Sequence, residues 1–290
     1  MQRIKMILGG FFENCFRVFR KFIFSVVSVG PIPTHIAFIM DGNRRYARKH
    51  KLKEGARHRI GLFALMSMLK YCYELRVKYV TVYAFSVDNF NREPKEVQYM
   101  MTLMEEKIEE LLMEGSIVSK FGVRLHFIGN LKLLNATTRA AAERAMTATA
   151  MNNNLVLVIC IAYSSTDEVV NAVQKSYKNK WCKLQGLDSS GCGSDEIRSV
   201  DCSRENDHEC AAMLSDLEKH MYMAVTPEPD ILIRTSGAKR LSNFLLWQSA
   251  HTYLYSPAAL WPDISLWHLI WVVLNFQRVQ HNLEKKKKLL

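Results

Sequence analysis

Residues 35–48 read His35-IAFIMDGNRRYA-Arg48. The apolar run His35–Met40 is short and partly β-branched, and it stops at Asp41-Gly42. That is the pattern of a buried strand closed by a tight turn. The basic helical start that follows would present free backbone N–H groups at the strand's C-terminal edge, together with Arg44, Arg45 and Arg48. Ligands of open α/β sheets sit beyond such edges.

Further strands are expected at Tyr79–Phe85, Val123–Ile128, Leu155–Ala162 and Asp230–Ile233. Helical patterns separate them at Gly61–Leu75, Pro94–Glu114, Thr138–Met151 and Ser165–Tyr177, with a last one at Trp267–Gln277. Alternating strand and helix predicts an α/β domain whose mostly parallel sheet is covered on both faces.

The chain has 290 residues, 49% apolar and 23% charged, with seven cysteines. These values exclude disordered, collagenous and coiled-coil chains, and the absence of CxxC pairs points to a reducing compartment. The net charge of +11 is focused. Residues 44–59 carry eight Lys and Arg against Glu54 alone, while 1–30 and the tail 281–290 hold most of the remaining excess. Focused charge suggests a small anionic ligand and an anionic surface such as a membrane, not nucleic acid.

Residues 1–30, with Phe11, Phe12, Phe16, Phe19, Phe22 and Ile23 at roughly helical spacing among basic residues, read as an amphipathic membrane-associating segment. A signal or anchor segment, or a helix packed on the domain, are the alternatives. The main folded domain is placed at 31–280. Within it, 181–210 is acidic and rich in Ser and Gly, the composition of a solvated insertion loop. Cys182, Cys192, Cys202, Cys210 and His208 in that insertion lack the close ligand pairs of structural zinc.

Three strand ends could carry chemistry. At the first, guanidinium forks suit phosphate oxygens, and Asp41 suits a Mg²⁺ shared with a diphosphate. The same residues would also serve as an N-cap on a solvated basic helix. The second strand runs into Ser86-Val-Asp-Asn89-Phe-Asn-Arg92, where Ser86 and Asn89 would equally serve as turn caps. The last runs into Arg234-Thr-Ser-Gly, with Arg240 and Ser242 close behind, and is either a second phosphate cradle or a polar loop. His58 is either a donor or a solvated helix residue, and His35 is expected to be structural. Nucleotide-binding P-loop, dinucleotide-binding, zincin and serine-hydrolase motifs are absent from the sequence.

The strings from His35 to Arg48, Tyr83-AFSVDNFN-Arg92-EP and Asp230-ILIRTSGAKRLSNFLLW-Gln248 closely resemble cis-prenyltransferases, in particular the eukaryotic dehydrodolichyl diphosphate synthase and rubber-type subfamily. The resemblance implies an undecaprenyl diphosphate synthase fold, with a central six-stranded parallel sheet, surrounding helices and an elongated apolar tunnel. It implies head-to-tail cis addition of isopentenyl diphosphate to an allylic diphosphate such as farnesyl diphosphate, with Mg²⁺. By that resemblance Asp41 would coordinate Mg²⁺, and Gly42, Asn43, Arg44, Arg45, His58 and Arg92 would surround the allylic diphosphate. Ser86 and Asn89 would assist deprotonation. Arg234, Arg240 and Ser242 would grip isopentenyl diphosphate.

Five departures accompany it. Arg44 stands where bacterial members usually have Gly, as is common in the eukaryotic subfamily, Arg57 where the family usually has Gly, Ala238 where Glu is usual, and Tyr253 where single-subunit members have a metal-binding Glu. The C-terminal Asn275-FQRVQHNLEKKKKLL lacks an Arg-x-Gly motif. The last implies a Nogo-B-receptor-like partner supplying that motif; the alternative is that this chain is itself a scaffold subunit. A hydrocarbon product implies the cytosolic face of the endoplasmic reticulum, or a lipid or rubber particle.

Overall fold

In three of the strands every residue is buried, because the sheet is covered on both faces. In β1 (His35–Ile39), Ile36 and Phe38 enter one apolar cluster, while Ala37 and Ile39 enter a second on the opposite face. This is the two-residue period of a pleated strand with both sides apolar. β4 (Leu155–Tyr163) is buried at all nine positions. The computed structural model describes residues 16–52, 54–187 and 206–287, excepting the side chains of 54–58, 180–187, 206–212 and 286.

The six strands are all parallel, in the order β3-β4-β2-β1-β5-β6, with β2 at Tyr79–Ser86, β3 at Val123–Ile128, β5 at Ile231–Arg234 and β6 at Tyr253–Tyr255. The chain leaves β1 toward β2 and β5 toward β6, so the order reverses between the C-terminal ends of β1 and β5. That crevice is the switch point at which such sheets bind ligands.

One sheet face is covered by α3 (Glu54–Glu74), α4 (Pro94–Leu112), α6 (Ala136–Ala148) and α9 (Leu266–Lys287). The other packs against the segments around Met223 and Phe244, near α7 (Ser165–Leu187) and α8 (Asn206–Lys219). Short helices α2 (Asn43–Lys49) and α5 (Ile117–Phe121) follow β1 and precede β3. Gly129, after β3, has φ +123, and a Cβ there would lie 2.1 Å from the Ile161 carbonyl oxygen, so only glycine fits.

Helix α1, residues 16–27, is not a free-standing appendage. Arg20 is buried, and Nε and Nη2 donate to the two carboxylate oxygens of Glu74 at 2.7 and 2.9 Å. Phe24 meets the Tyr71 ring, and Val27 enters the core. Residues 1–15 of the expected amphipathic segment lie outside the described residues.

Three other expectations change. α3 begins at Glu54, two turns before the apolar period starts, because a polar first turn carries no hydrophobic signal. α7 continues to Leu187 and α8 begins at Asn206, inside the expected insertion 181–210; its centre, 188–205, lies outside the described residues. α9 runs unbroken through residue 280, so the basic tail begins as helix. Among the described residues no helix is long and apolar enough to cross a membrane.

Candidate active site

β1 ends by turning through Gly42, whose φ is +115; a Cβ there would also press on Leu260 at 3.0 Å. The turn fixes Asp41 from both sides. Its carbonyl accepts from the Trp261 N–H at 2.9 Å and from Thr235 Oγ1 at 2.6 Å. Its carboxylate Oδ2 accepts from Arg234 Nη2 at 2.9 Å, across the switch point, and Oδ1 lies 3.6 Å from Arg45 Nη2. Partial burial pushes the Asp41 carboxyl upward, but the hydrogen bond and charge of Arg234, with the charge of Arg45, outweigh it and hold the group below its ordinary range. Asp41 is therefore an anion at neutral pH.

Arg234 is buried, an uncommon place for a guanidinium. Nη1 donates to the Arg240 carbonyl at 2.8 Å and to Ser242 Oγ at 2.7 Å, so the 236–245 loop closes around it. Ser236, Ser242, Asn243 and Leu245 in that loop all have positive φ. Non-glycine residues in this region store local strain, which concentrates at functional sites. Three buried polar atoms here have no protein partner: Arg234 Nε, Ser236 Oγ and Asn43 Oδ1. Unsatisfied donors and acceptors around an ion pair are what a polar ligand would satisfy.

The remaining expected residues divide. Strand register aligns Ile39 with Tyr83 and Arg234, which brings Asp41, Ser86 and Arg234 to one sheet edge. Ser86 caps the 3-10 turn Val87–Asn91 by accepting from the Asp88 N–H, and Asn89 Oδ1 accepts from Arg92 Nη2 at 2.8 Å. Arg92 Nη1 also donates to Glu96 at 2.8 Å, and Arg44 pairs with the same Glu96 oxygen. Glu96 thus clasps α2 to the start of α4 and holds two expected phosphate ligands. Because α2 spans only seven residues, the positive potential there comes mainly from the exposed Arg44, Arg45 and Arg48.

Arg240 is exposed. His58 lies in the first turns of α3, with its side chain outside the described residues, as is that of Arg57. Tyr253 opens β6 and pairs with Ile231, three residues before Arg234, so within this chain it sits about 10 Å down the sheet from the Asp41 edge. Ala238 offers its carbonyl to Ser256. His35 is structural: it is buried between the Pro227 carbonyl and Thr81 Oγ1, both at 2.7 Å, and burial lowers its pKa to about 4.

Beside this edge an apolar cavity of about 270 Å³ runs between the sheet, α3 and α4. Met40 and Asn43 line its end at the switch point, and α4 lines it from Met100 to Leu111, about 16 Å of helix. Trp261 donates its indole N–H to the Gly61 carbonyl at 2.9 Å, and a Cβ on Gly61 would lie 2.7 Å from Asn43 Oδ1. Glu96, Gly61 and Trp261 escape a reading by motif. The one available signal for Glu96 was an acid in the first turn after Pro94.

Comparison with known proteins agrees with this geometry. Residues 39–284 match the prenyltransferase family described as "Putative undecaprenyl diphosphate synthase". A dehydrodolichyl diphosphate synthase of Solanum lycopersicum is 57% identical over 97% of both chains. A rubber cis-polyprenyltransferase of Hevea brasiliensis is 50% identical over 93% of both. The lavandulyl diphosphate synthase structure from Lavandula x intermedia superposes with a TM-score of 0.68 at 24% identity, covering 85% of this chain and 95% of that one. Sequence, fold and strand-edge site together place this chain in the cis-prenyltransferase family, in the eukaryotic branch of dehydrodolichyl diphosphate synthases and rubber cis-polyprenyltransferases.

Proposed function

We propose that this chain is the catalytic subunit of a cis-prenyltransferase that extends farnesyl diphosphate, or a similar allylic diphosphate, with isopentenyl diphosphate. The carrying observation is the Asp41–Arg234 pair at the switch point, with an apolar cavity opening beside Asn43. In this reading the hydrocarbon enters the cavity, and its diphosphate lies near Asp41, Asn43, Arg44, Arg45 and Arg92. The isopentenyl diphosphate lies against Arg234, Arg240 and Ser242. The allylic carbon–oxygen bond breaks, diphosphate leaves, a carbon–carbon bond forms, and a proton departs near Ser86 and Asn89. Arginines around the leaving group stabilise its charge.

Asp41 fits a Mg²⁺ site shared with substrate. Its Oδ1 is held only loosely by Arg45, and no group of three candidate metal ligands occurs among the described residues. One carboxylate plus substrate phosphates is a common Mg²⁺ arrangement. When bound, Mg²⁺ would neutralise charge on the departing diphosphate.

A partner subunit of the Nogo-B-receptor type, contributing an Arg-x-Gly segment, completes the reading. A 37% identical human relative is named a dehydrodolichyl diphosphate synthase complex subunit. In support, α7 carries Val170, Val173 and Tyr177 on one exposed face, and Met213 and Leu214 are exposed on α8. The complex would work at the cytosolic face of the endoplasmic reticulum or on a lipid or rubber particle, since its product is a long hydrocarbon.

The test is incorporation of labelled isopentenyl diphosphate onto farnesyl diphosphate with Mg²⁺. Activity of the wild-type chain with an Arg-x-Gly partner, absent from Asp41→Ala with the same partner, is expected. Equal turnover by Asp41→Ala would make this chain a scaffold.

A further inference from the structure

Helices α1 and α9 both bury one apolar face and expose another. On α1, Phe19, Phe22 and Val26 are between 51% and 66% exposed, opposite the buried Phe24 and Val27. On α9, Trp267 and Trp271 are 58% and 56% exposed and Leu274 is 39% exposed, while Leu269, Val272, Val273 and Phe276 form the core side. The helices meet where Gln277 Nε2 donates to the Val27 carbonyl at 2.9 Å, so the two exposed faces flank one junction.

The α9 face also changes character along its length. At the same helical spacing, Trp267, Trp271 and Leu274 continue into Arg278, His281 and Lys285, all exposed. On α1, Arg17 and Lys21 are exposed beside the phenylalanines, whereas Arg20 is committed to Glu74. A protein interface concentrates aromatics at its centre and is depleted in Lys. An anionic bilayer asks for the pattern seen here, with aromatic residues at headgroup depth and cations on the lipid phosphates.

We propose that α1 and α9 form one lipid-docking face, in which Trp267 and Trp271 enter the interface of an anionic bilayer and Arg278 and Lys285 contact its headgroups. The proposal deepens the membrane location given above. It assigns the contact to the catalytic domain's last helix and not to the N-terminal segment alone. Because its test needs no turnover, failure of chain elongation and failure of lipid docking are separately visible.

The experiment uses the full chain with vesicles of phosphatidylcholine, with and without phosphatidylserine. Brominated acyl chains should quench the tryptophan fluorescence of the wild type, and Trp267→Phe/Trp271→Phe should lose most of that quenching while still binding. Trp267→Ser/Trp271→Ser should lower vesicle partitioning about tenfold or more. Arg278→Gln and Lys285→Gln should each lower binding to phosphatidylserine vesicles roughly fivefold, with less effect on the neutral ones. Unchanged quenching in the Phe pair overturns the proposal. So does a wild type that binds vesicles with its tryptophans unquenched, or self-association through the face that the Ser pair abolishes without any vesicle binding. Matching circular dichroism separates a folding defect from lost docking, and the Phe pair keeps the test open if the Ser pair misfolds.

Discussion

Replacing Asp41 should damage stability and catalysis together, because one carboxylate serves both. Arg234 is 7% exposed at its side chain, and Asp41 is the carboxylate it pairs with, at 2.9 Å. Charges about 4 Å apart attract by about 4 kcal/mol at an effective dielectric of about 20. Removing one partner of a fully buried pair costs about 3–5 kcal/mol. Asp41 keeps 29% exposure, and Arg234 retains the Arg240 carbonyl and Ser242 hydroxyl, so the cost falls below that range. We expect a loss of about 2 kcal/mol for Asp41→Ala, and about 1 kcal/mol for Asp41→Asn, which keeps an acceptor. In a chain of this size these correspond to Tm decreases of roughly 3 °C and 2 °C.

The pH dependence has a definite sign. Asp41's native pKa lies below its ordinary value, so its stabilisation is present above that value and is lost as pH falls through the lower native pKa. The Tm gap between wild type and Asp41→Asn should therefore be full at neutral pH and close in strong acid. Chain elongation by Asp41→Asn, assayed with the partner, should fall at least about a hundredfold. An Asn variant with wild-type Tm and wild-type turnover would refute both the ion pair's role and the site.

Three further outcomes follow from the same geometry. Glu96→Gln should change stability by about 1 kcal/mol or less, since its ion pairs are partly exposed, yet alter KM for the allylic diphosphate more than kcat by freeing Arg44 and Arg92; equal KM values would remove Glu96 from the site's organisation. Gly61→Ala should stabilise α3 by up to about 1 kcal/mol on propensity while forcing Asn43 aside, so thermal melts and turnover should move in opposite directions. His35 is neutral in the fold, with a pKa of about 4, so its contribution to stability should fall by about 1.4 kcal/mol per pH unit between pH 6.5 and about 4. Denaturant titrations of His35→Gln should show a shallower fall across that window.

Much of this was legible in the chain. β1, β4 and β5 were readable because burial on both faces leaves each nearly all apolar, and β2 and β3 because short apolar, β-branched stretches persist although Arg124 and His126 of edge strand β3 are half-exposed. β6 was not read from the pattern, because Tyr253–Tyr255 is three residues long at a half-exposed edge. Polar ends of helices likewise hid the start of α3 and the end of α9, where no apolar face marks the period. At the site, Asp41 and Arg234 could be read because each follows a strand, and strand ends are where the sheet meets ligands. Glu96 could not be read, because its meaning depends on Arg44, 52 residues away in sequence. The orphaned oxygens of Asn43 and Ser236 belong to the same class: burial without a partner is a property of packing.

The salt link between Asp41 and Arg234 also bears on the order in which the molecule fills. A cation arriving at the carboxylate weakens its hold on the guanidinium, and an anion arriving at the guanidinium frees the carboxylate. Under the proposed roles, occupancy of either cradle lowers the work of filling the other, and by thermodynamic reciprocity the help is equal in both directions. Under those roles, one shared ion pair would couple the filling of the two cradles in a reaction that needs both substrates at once.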